Sequence, residues 1–329
     1  DDGSTDDTAT ILAARRALDP RVRVVAGAGR GVARALAAGL DAARAELVAI
    51  MNADDVALPD RLARQAAYLD AHPRVAAVGS QTRLLLDDGA GGAPRPGRTS
   101  DLPTDPAAAR AMLPRAAPLA HPASMFRRAA ALAAGSYRPA FAAAAEDYDL
   151  WLRLAERHDL ANLPEVLLLY RIHPRQATSH EHVAVATATL VAQASARARA
   201  GGRPDPVAAG DVIDDALLAA LGIDADAVAR RSILSAVDRA ESLLAAGAAP
   251  EAARAALATL AADLVAARQP RLFDAATAWL AGRTLMAGGS PVAGAGRLVA
   301  AACGDAAFRS RLVGAPARRL KALLRGRQP

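Results

Sequence analysis

The chain has 329 residues, of which 53% are hydrophobic, 22% charged and 3% aromatic. That length can bury one large or two modest cores, and the composition excludes a disordered tail, a collagen-like fibre and a disulfide scaffold. Net charge is +6, but residues 306–329 carry seven basic side chains and no acid, so the remainder is about −1 and the chain is not a general nucleic-acid binder.

Cys303 is the single cysteine, which rules out an internal disulfide and suggests a reducing compartment. No apolar run reaches the roughly 18–20 residues of a membrane span. The chain opens with Asp1-Asp2-Gly3, residues that ordinarily follow a strand, and it reads as N-terminally truncated.

Strand-like and helix-like segments alternate from there. Ser4-Thr5-Asp6-Asp7 fits a capping box opening a helix through Leu18. Arg21–Ala26 reads as a strand and Gly31–Ala45 as a helix. Glu46–Met51 suits a buried parallel strand that ends at Asn52-Ala53-Asp54-Asp55. Pro59–Ala71 is helical and Val75–Leu86 a strand, while Asp88–Pro106 has the composition of a long surface loop. Pro122–Arg128 is a strand, Glu146–Arg157 a helix and Val166–His173 a last strand. This alternation predicts an α/β sheet with helices on both faces. Beyond about residue 180 only Ala/Leu/Arg-rich helical segments follow, with a hinge expected at Gly201–Gly210 and amphipathic helices at Glu251–Ala266 and Arg271–Leu285.

Two acidic clusters carry chemistry. Asn52-Ala53-Asp54-Asp55 leaves the sheet at a strand end, where open α/β sheets bind ligands. Adjacent carboxylates repel one another and resist burial, so a divalent cation such as Mg²⁺ or Mn²⁺ makes sense of them. The alternative is a solvated turn with Asp55 or Asp60 capping the next helix. The second cluster, Glu146-Asp147, begins a helix on which Asp147, Leu150, Trp151 and Leu154 share one face. Apolar members facing the sheet would aim Asp147 inward as a candidate general base, whereas the alternative is stabilisation of the first turn by the helix dipole. Asp149 and Arg153 are spaced to pair on another face.

In chain order the segments DDGSTDDT (1–8), MNADD (51–55), HPASMFRR (121–128), GSYRPAF (135–141), AEDYDLWLRLAER (145–157) and YRIHPRQATS (170–179) resemble a family 2 glycosyltransferase of the GT-A fold. The resemblance covers about residues 1–180. It implies an α/β fold with a GT-A-like, doubly wound mixed sheet and a Rossmann-like nucleotide-binding half, followed by an all-α C-terminal region. The expected division is a catalytic domain over 1–180 and a helical domain over 181–329.

The resemblance also implies roles. Asp2 would hydrogen-bond the nucleotide base with Asp1 beside it, and Asn52 and Asp54 would match the Asp-x-Asp element that holds ribose and metal. Asp54, Asp55 and His173 would face the metal or diphosphate, the alternative for His173 being a strand-end histidine packed against Tyr170 or Pro174. Asp147 would be the catalytic base, and Glu146 would orient the acceptor or the base. The glycine cluster at 27–31 reads as a flexible turn, with a place for Arg30 or Arg34 near the diphosphate as the functional alternative, and His121 either lines the acceptor site or is structural. The reaction implied is a single inverting displacement from a nucleoside-diphosphate sugar, with UDP the commonest base, to a glycan or lipid-linked acceptor in surface or secreted polysaccharide synthesis.

Two departures stand out: Asn52 replaces the usual first Asp, and the family's opening strand is missing. They motivate the alternative of a non-catalytic scaffold or binding protein. A Rossmann dehydrogenase fails on spacing, because Gly27-Ala28-Gly29-Arg30-Gly31 has Val32 or Arg34 where G-x-G-x-x-G needs its third glycine. The implied location is cytoplasmic, with the tail over 306–329 contacting the inner membrane face; a basic helix end in water is the alternative.

Overall fold

A computed structural model describes residues 1–27, 29, 31–87, 92–173, 181–207, 212–245, 268–287, 294, 297–298, 300–301 and 304–306. Its elements are α1 (Thr8–Leu18), α2 (Val32–Ala42), β1 (Leu47–Ala49), β2 (Val56–Ala57), α3 (Arg61–Ala71), β3 (Val75–Leu86), β4 (Arg95–Thr99), α4 (Pro106–Met112), β5 (Met125–Arg127), α5 (Arg128–Ala133), α6 (Glu146–Leu154), β6 (Asp159–Ile172), α7 (His182–Ala200), α8 (Asp215–Ala220), α9 (Ala225–Ala245) and α10 (Pro270–Ala287). The strands form one sheet in the order β1-β5-β3-β6-β2, with β4 also paired to β3.

The sheet is mixed. β5 runs antiparallel to β1 and β3, and β2 runs antiparallel to β6. The Asp159 amide bonds Arg74 O at one end of β3 and β6, and the Asp87 amide bonds Ile172 O at the other, so these two strands run in the same direction. β3 is buried over its first eight residues, the polar Ser80, Gln81 and Thr82 included, because it lies between neighbours. Leu69 on α3 packs with Val75, Val78, Met125, Ala161, Leu163 and Leu167 to form the core beside it.

Several expectations are corrected. Arg21–Ala26 forms no strand; its backbone bonds to another segment join Asp1 to Val25 O and the Gly27 amide to Asp1 O. β1 is three residues long, half-exposed and antiparallel to β5, instead of a buried parallel strand. Its place at the end of the strand order leaves one side without a ladder among the described residues. The capping box does not form, because the Ser4 hydroxyl and amide both bond the Asp1 carboxylate. The 88–106 loop contains β4, whose Pro96 is tolerated at the margin of a sheet where its missing N–H costs no ladder bond.

The chain divides into two compact units. One comprises Asp1–Arg83, Thr99–Arg171 and Ala188–Gly222; the other comprises Leu84–Arg98, Ile172–Thr187 and the chain from Ile223. The core of the second is helical: Ile233, Ala236, Val237 and Ala240 of α9 pack on Leu272, Ala276, Trp279 and Leu280 of α10. The amphipathic segment expected at 271–285 is thus a helix, while the one at 251–266 lies outside the described residues, as does the tail from residue 307. After residue 181 every described element is helical. No helix among the described residues is long and apolar enough to cross a membrane.

Candidate active site

The acidic turn is built from beneath by two polar residues on α3. Arg61 is 1% exposed and donates from Nη2 to Ile50 O (2.7 Å) and Ser124 O (3.0 Å), from Nη1 to Met51 Sδ (3.5 Å) and from Nε to Gln65 Oε1 (3.1 Å). Gln65, one turn on, donates to Val78 O and Ala123 O. Arg61, Gln65 and Leu69 are the buried face of α3, so this helix joins the ends of β1, β3 and β5 through hydrogen bonds as well as packing.

From β6, the Arg171 amide donates to Asp55 Oδ1 (2.8 Å) and Nε donates to Asp54 O (2.7 Å). Asp55 is buried, and its Oδ2 has no hydrogen-bond partner. Burial pushes its carboxyl up to about 6, with the Asp54 charge adding and the Arg171 amide and Asn52 side chain opposing. Asn52 and Asp54 are half-buried.

No three His, Cys, Asp or Glu side chains among the described residues converge as a closed metal cage. A hard cation that takes further ligands from a diphosphate and water needs only one or two protein carboxylates, and the unbonded Asp55 oxygen beside Asp54 fits that demand. His173 follows β6 directly, is half-buried and falls in the second unit.

Asp2 closes the glycine cluster: Oδ1 accepts from the Gly29 amide (3.0 Å) and Oδ2 from the Gly31 amide (2.9 Å). The glycines are needed here. A Cβ on Gly27 would lie 2.3 Å from Asp2 Oδ1, and Gly31, at φ 95°, would place one 2.8 Å from Ala142 O. The cluster is therefore a loop folded onto a carboxylate. Arg30, between the two bonded amides, lies outside the described residues; Arg34 is one turn into α2.

The second cluster sits at the N-terminus of α6, where Leu150, Trp151 and Leu154 are buried as the shared face requires. Glu146 and Asp147 are half-buried at its first turn, and Asp147 accepts a bond from the Tyr148 amide. His121, in a single-turn 3-10 helix at His121–Ala123, lies with Nδ1 4.0 Å from Glu146 Oε1 and Nε2 2.8 Å from the Tyr137 hydroxyl. Its ring meets Trp151 edge-on. Burial lowers the His121 pKa and keeps the imidazole neutral. Burial, reinforced by the Asp147 charge, pushes Glu146 up to about 8. Burial, with the Asp147 and Glu146 charges, also raises the Tyr137 phenol.

The antiparallel register brings the two clusters to one end of the sheet. Ala49 faces Met125 and the Ile50 amide bonds Ser124 O, so the turn leaving β1 lies beside the segment entering β5, which includes His121.

Behind α6 lies a buried charge network. Asp149, fully buried, accepts from Arg153, as its spacing predicted, and also from Arg138. Arg138 continues to Asp205 (2.9 Å), which also pairs with Arg199 and accepts from Ser195. Burial alone would raise Asp205; bonds from Ser195 Oγ and the Val207 amide, with the Arg138 and Arg199 charges, bring it down to about 2. The segment expected as a hinge at 201–210 is thus pinned at Asp205. Sequence reasoning passed over Arg61, Gln65, Tyr137 and Arg138. An Arg–Gln pair one turn apart in line with Leu69 was the visible signal for the first two.

The fold is a mixed α/β sheet with two groups of acidic side chains towards one end, where open α/β sheets bind ligands. The family model described as Glycosyl transferase family 2 matches residues 1–132, about two fifths of the chain. Glu146 and Asp147 lie beyond the matched part. A 172-residue stretch is 33% identical to the amylovoran biosynthesis glycosyltransferase AmsE of Erwinia amylovora, covering 52% of this chain and 62% of that protein. A stretch of 88 residues is 40% identical to the succinoglycan biosynthesis protein ExoO of Rhizobium meliloti, covering 26% of this chain and 25% of that protein. Among solved structures, a mannosyltransferase from Pyrobaculum calidifontis in complex with GDP-Man and Mn²⁺ aligns over 90% of this chain and 75% of that one, at 22% identity and TM-score 0.44.

Proposed function

We propose that the chain is an inverting glycosyltransferase that moves a sugar from a nucleoside-diphosphate sugar, UDP-linked in the first instance, to a hydroxyl of a glycan or lipid-linked acceptor in polysaccharide biosynthesis. The observation that supports this reading is the register that sets the turn leaving β1 beside the segment entering β5, whose His121 lies 4.0 Å from Glu146, in a chain whose residues 1–132 match the model of this family. In the proposed division, residues 1–180 form the catalytic domain and 181–329 the helical one.

Asp147 takes the proton of the acceptor hydroxyl as that oxygen attacks the anomeric carbon, and the nucleoside diphosphate leaves from the opposite side. Glu146 orients the acceptor. Asp1, Asp2 and Arg30 belong to the nucleotide side, and Asn52 and Asp54 to the ribose and diphosphate. Asp54 and Asp55 would hold Mg²⁺ or Mn²⁺, which when bound offsets the charge of the departing diphosphate. Arg61 and Arg171 fix the backbone of the turn, so its carboxylates are placed before substrate arrives.

Calorimetric titration of UDP, GDP and dTDP, with Mn²⁺ and then with EDTA, tests the binding half. One nucleotide should bind with metal and be released without it. Asp147→Asn should keep that binding and lose about 10²–10⁴ in transfer rate. Absence of binding by all three nucleotides would count against the reading.

A further inference from the structure

The three groups around α6's first turn form a directional chain. Tyr137 is 3% exposed, and its raised phenol keeps its proton. His121 Nε2, 2.8 Å away, is the hydroxyl's one hydrogen-bond partner among the described residues. The hydroxyl therefore donates to Nε2, which leaves the imidazole proton on Nδ1, the nitrogen that faces Glu146 Oε1 at 4.0 Å. The His121 and Glu146 side chains keep only 10% and 14% exposure.

Two adjacent carboxylates in this setting do not both ionise readily, because each charge is poorly hydrated and repels the other. Among the described residues, the groups facing Glu146 are Asp147 from its own helix, His121 from the 3-10 turn and Tyr137 from the segment after α5. None is a cation. Arg153, two turns along α6, is engaged by Asp149, Ala134 O and Ser136 O.

We propose that Glu146 works as a neutral hydrogen-bond donor to an acceptor oxygen beside an anionic Asp147, and that Tyr137 and His121 are positioning residues that set an uncharged imidazole, and not a cation, against it. The inference rests on the glycosyl-transfer reading above and deepens it by dividing the labour of the acidic pair. The proton stays on Glu146 throughout; the one that moves is the acceptor's, and it moves to Asp147.

The test has an arm that needs no turnover. In the nucleotide-free protein, the ¹³C carboxyl resonance of Glu146, identified by its absence in Glu146→Gln, should titrate near pH 8. ¹⁵N spectra should show His121 as the neutral Nδ1–H tautomer, and Tyr137→Phe should mix the tautomers. A midpoint in the ordinary carboxylate range, or an imidazolium at pH 7, overturns the proposal whatever the activity. In transfer assays Glu146→Gln, which keeps an N–H donor, should exceed Glu146→Ala by about tenfold and should lack the alkaline loss of rate expected of the wild type. Equal loss in the two variants also overturns it. If wild-type protein transfers no sugar from any donor, the glycosyl-transfer reading fails, while the two spectra still decide the proton state.

Discussion

Replacing Asp149 by Asn tests whether the buried charge network holds α6 in place. The Asp149 side chain is fully buried and accepts four hydrogen bonds, two from Arg138 and two from Arg153. Asn keeps the shape but removes the charge, and it turns its NH₂ towards guanidinium donors. Breaking a buried pair from one side costs about 3–5 kcal/mol, because the remaining charge stays buried without its partner. The lower end applies here, since Arg138 keeps Asp205, and Arg153 keeps the carbonyls of Ala134 and Ser136.

Trp151 on the same helix and Trp279 in the second unit are the two tryptophans. In a Trp279→Phe background, fluorescence therefore reports the first unit alone. With a urea slope of about 2 kcal/mol per molar, a loss of about 3 kcal/mol moves the midpoint down by about 1.5 M. Adding Arg138→Met and Arg153→Met to Asp149→Asn should recover part of the loss. A midpoint shift below about 0.5 M would refute the reasoning, because it would mean that water reaches the two guanidiniums.

Other expectations follow the same logic. Arg61→Met leaves the carbonyls of Ile50 and Ser124 without their donor and should cost about 2–4 kcal/mol in a thermal melt, together with metal-dependent nucleotide affinity. Gly31→Ala combines a left-handed backbone with a contact 2.8 Å from Ala142 O and should destabilise by about 2 kcal/mol or more. Gly39→Ala, inside α2 with open space around it, should stabilise by about 0.5–1 kcal/mol. Asp205 has its carboxyl depressed on folding, so its contribution of about 2 kcal/mol is complete above pH 4 and lost as pH falls towards about 2. Asp205→Asn should flatten that acid limb of stability.

Where a segment's period and its tertiary surroundings agree, the sequence sufficed to define it. β3 spans the strand expected at Val75–Leu86 residue for residue, and the face of α6 carrying Leu150, Trp151 and Leu154 is buried as its spacing requires. Arg21–Ala26 has the same strand-like pattern without a ladder among the described residues, since a strand exists only by virtue of its neighbours. β4 was hidden for the opposite reason: Pro-Gly composition reads as loop, yet the margin of β3 accepts it.

The site divides along the same line. Chemical type and spacing alone marked the two acidic clusters, the glycine loop and the Asp149–Arg153 pair, because charge density, backbone freedom and helical periodicity are local properties. Only the folded chain showed that Asp2 is bonded to the amides of Gly29 and Gly31, that Arg61 lies beneath the acidic turn, and that His121 lies between Tyr137 and Glu146. Those contacts join residues 16 to 29 positions apart in the chain or bury a charge against carbonyls from separate strands. Proton states depend on them as well: Glu146 and Asp55 are ordinary acids by sequence, and burial is the first cause of their raised pKa values. Desolvation is a property of the packed interior, and no local pattern of residues encodes it.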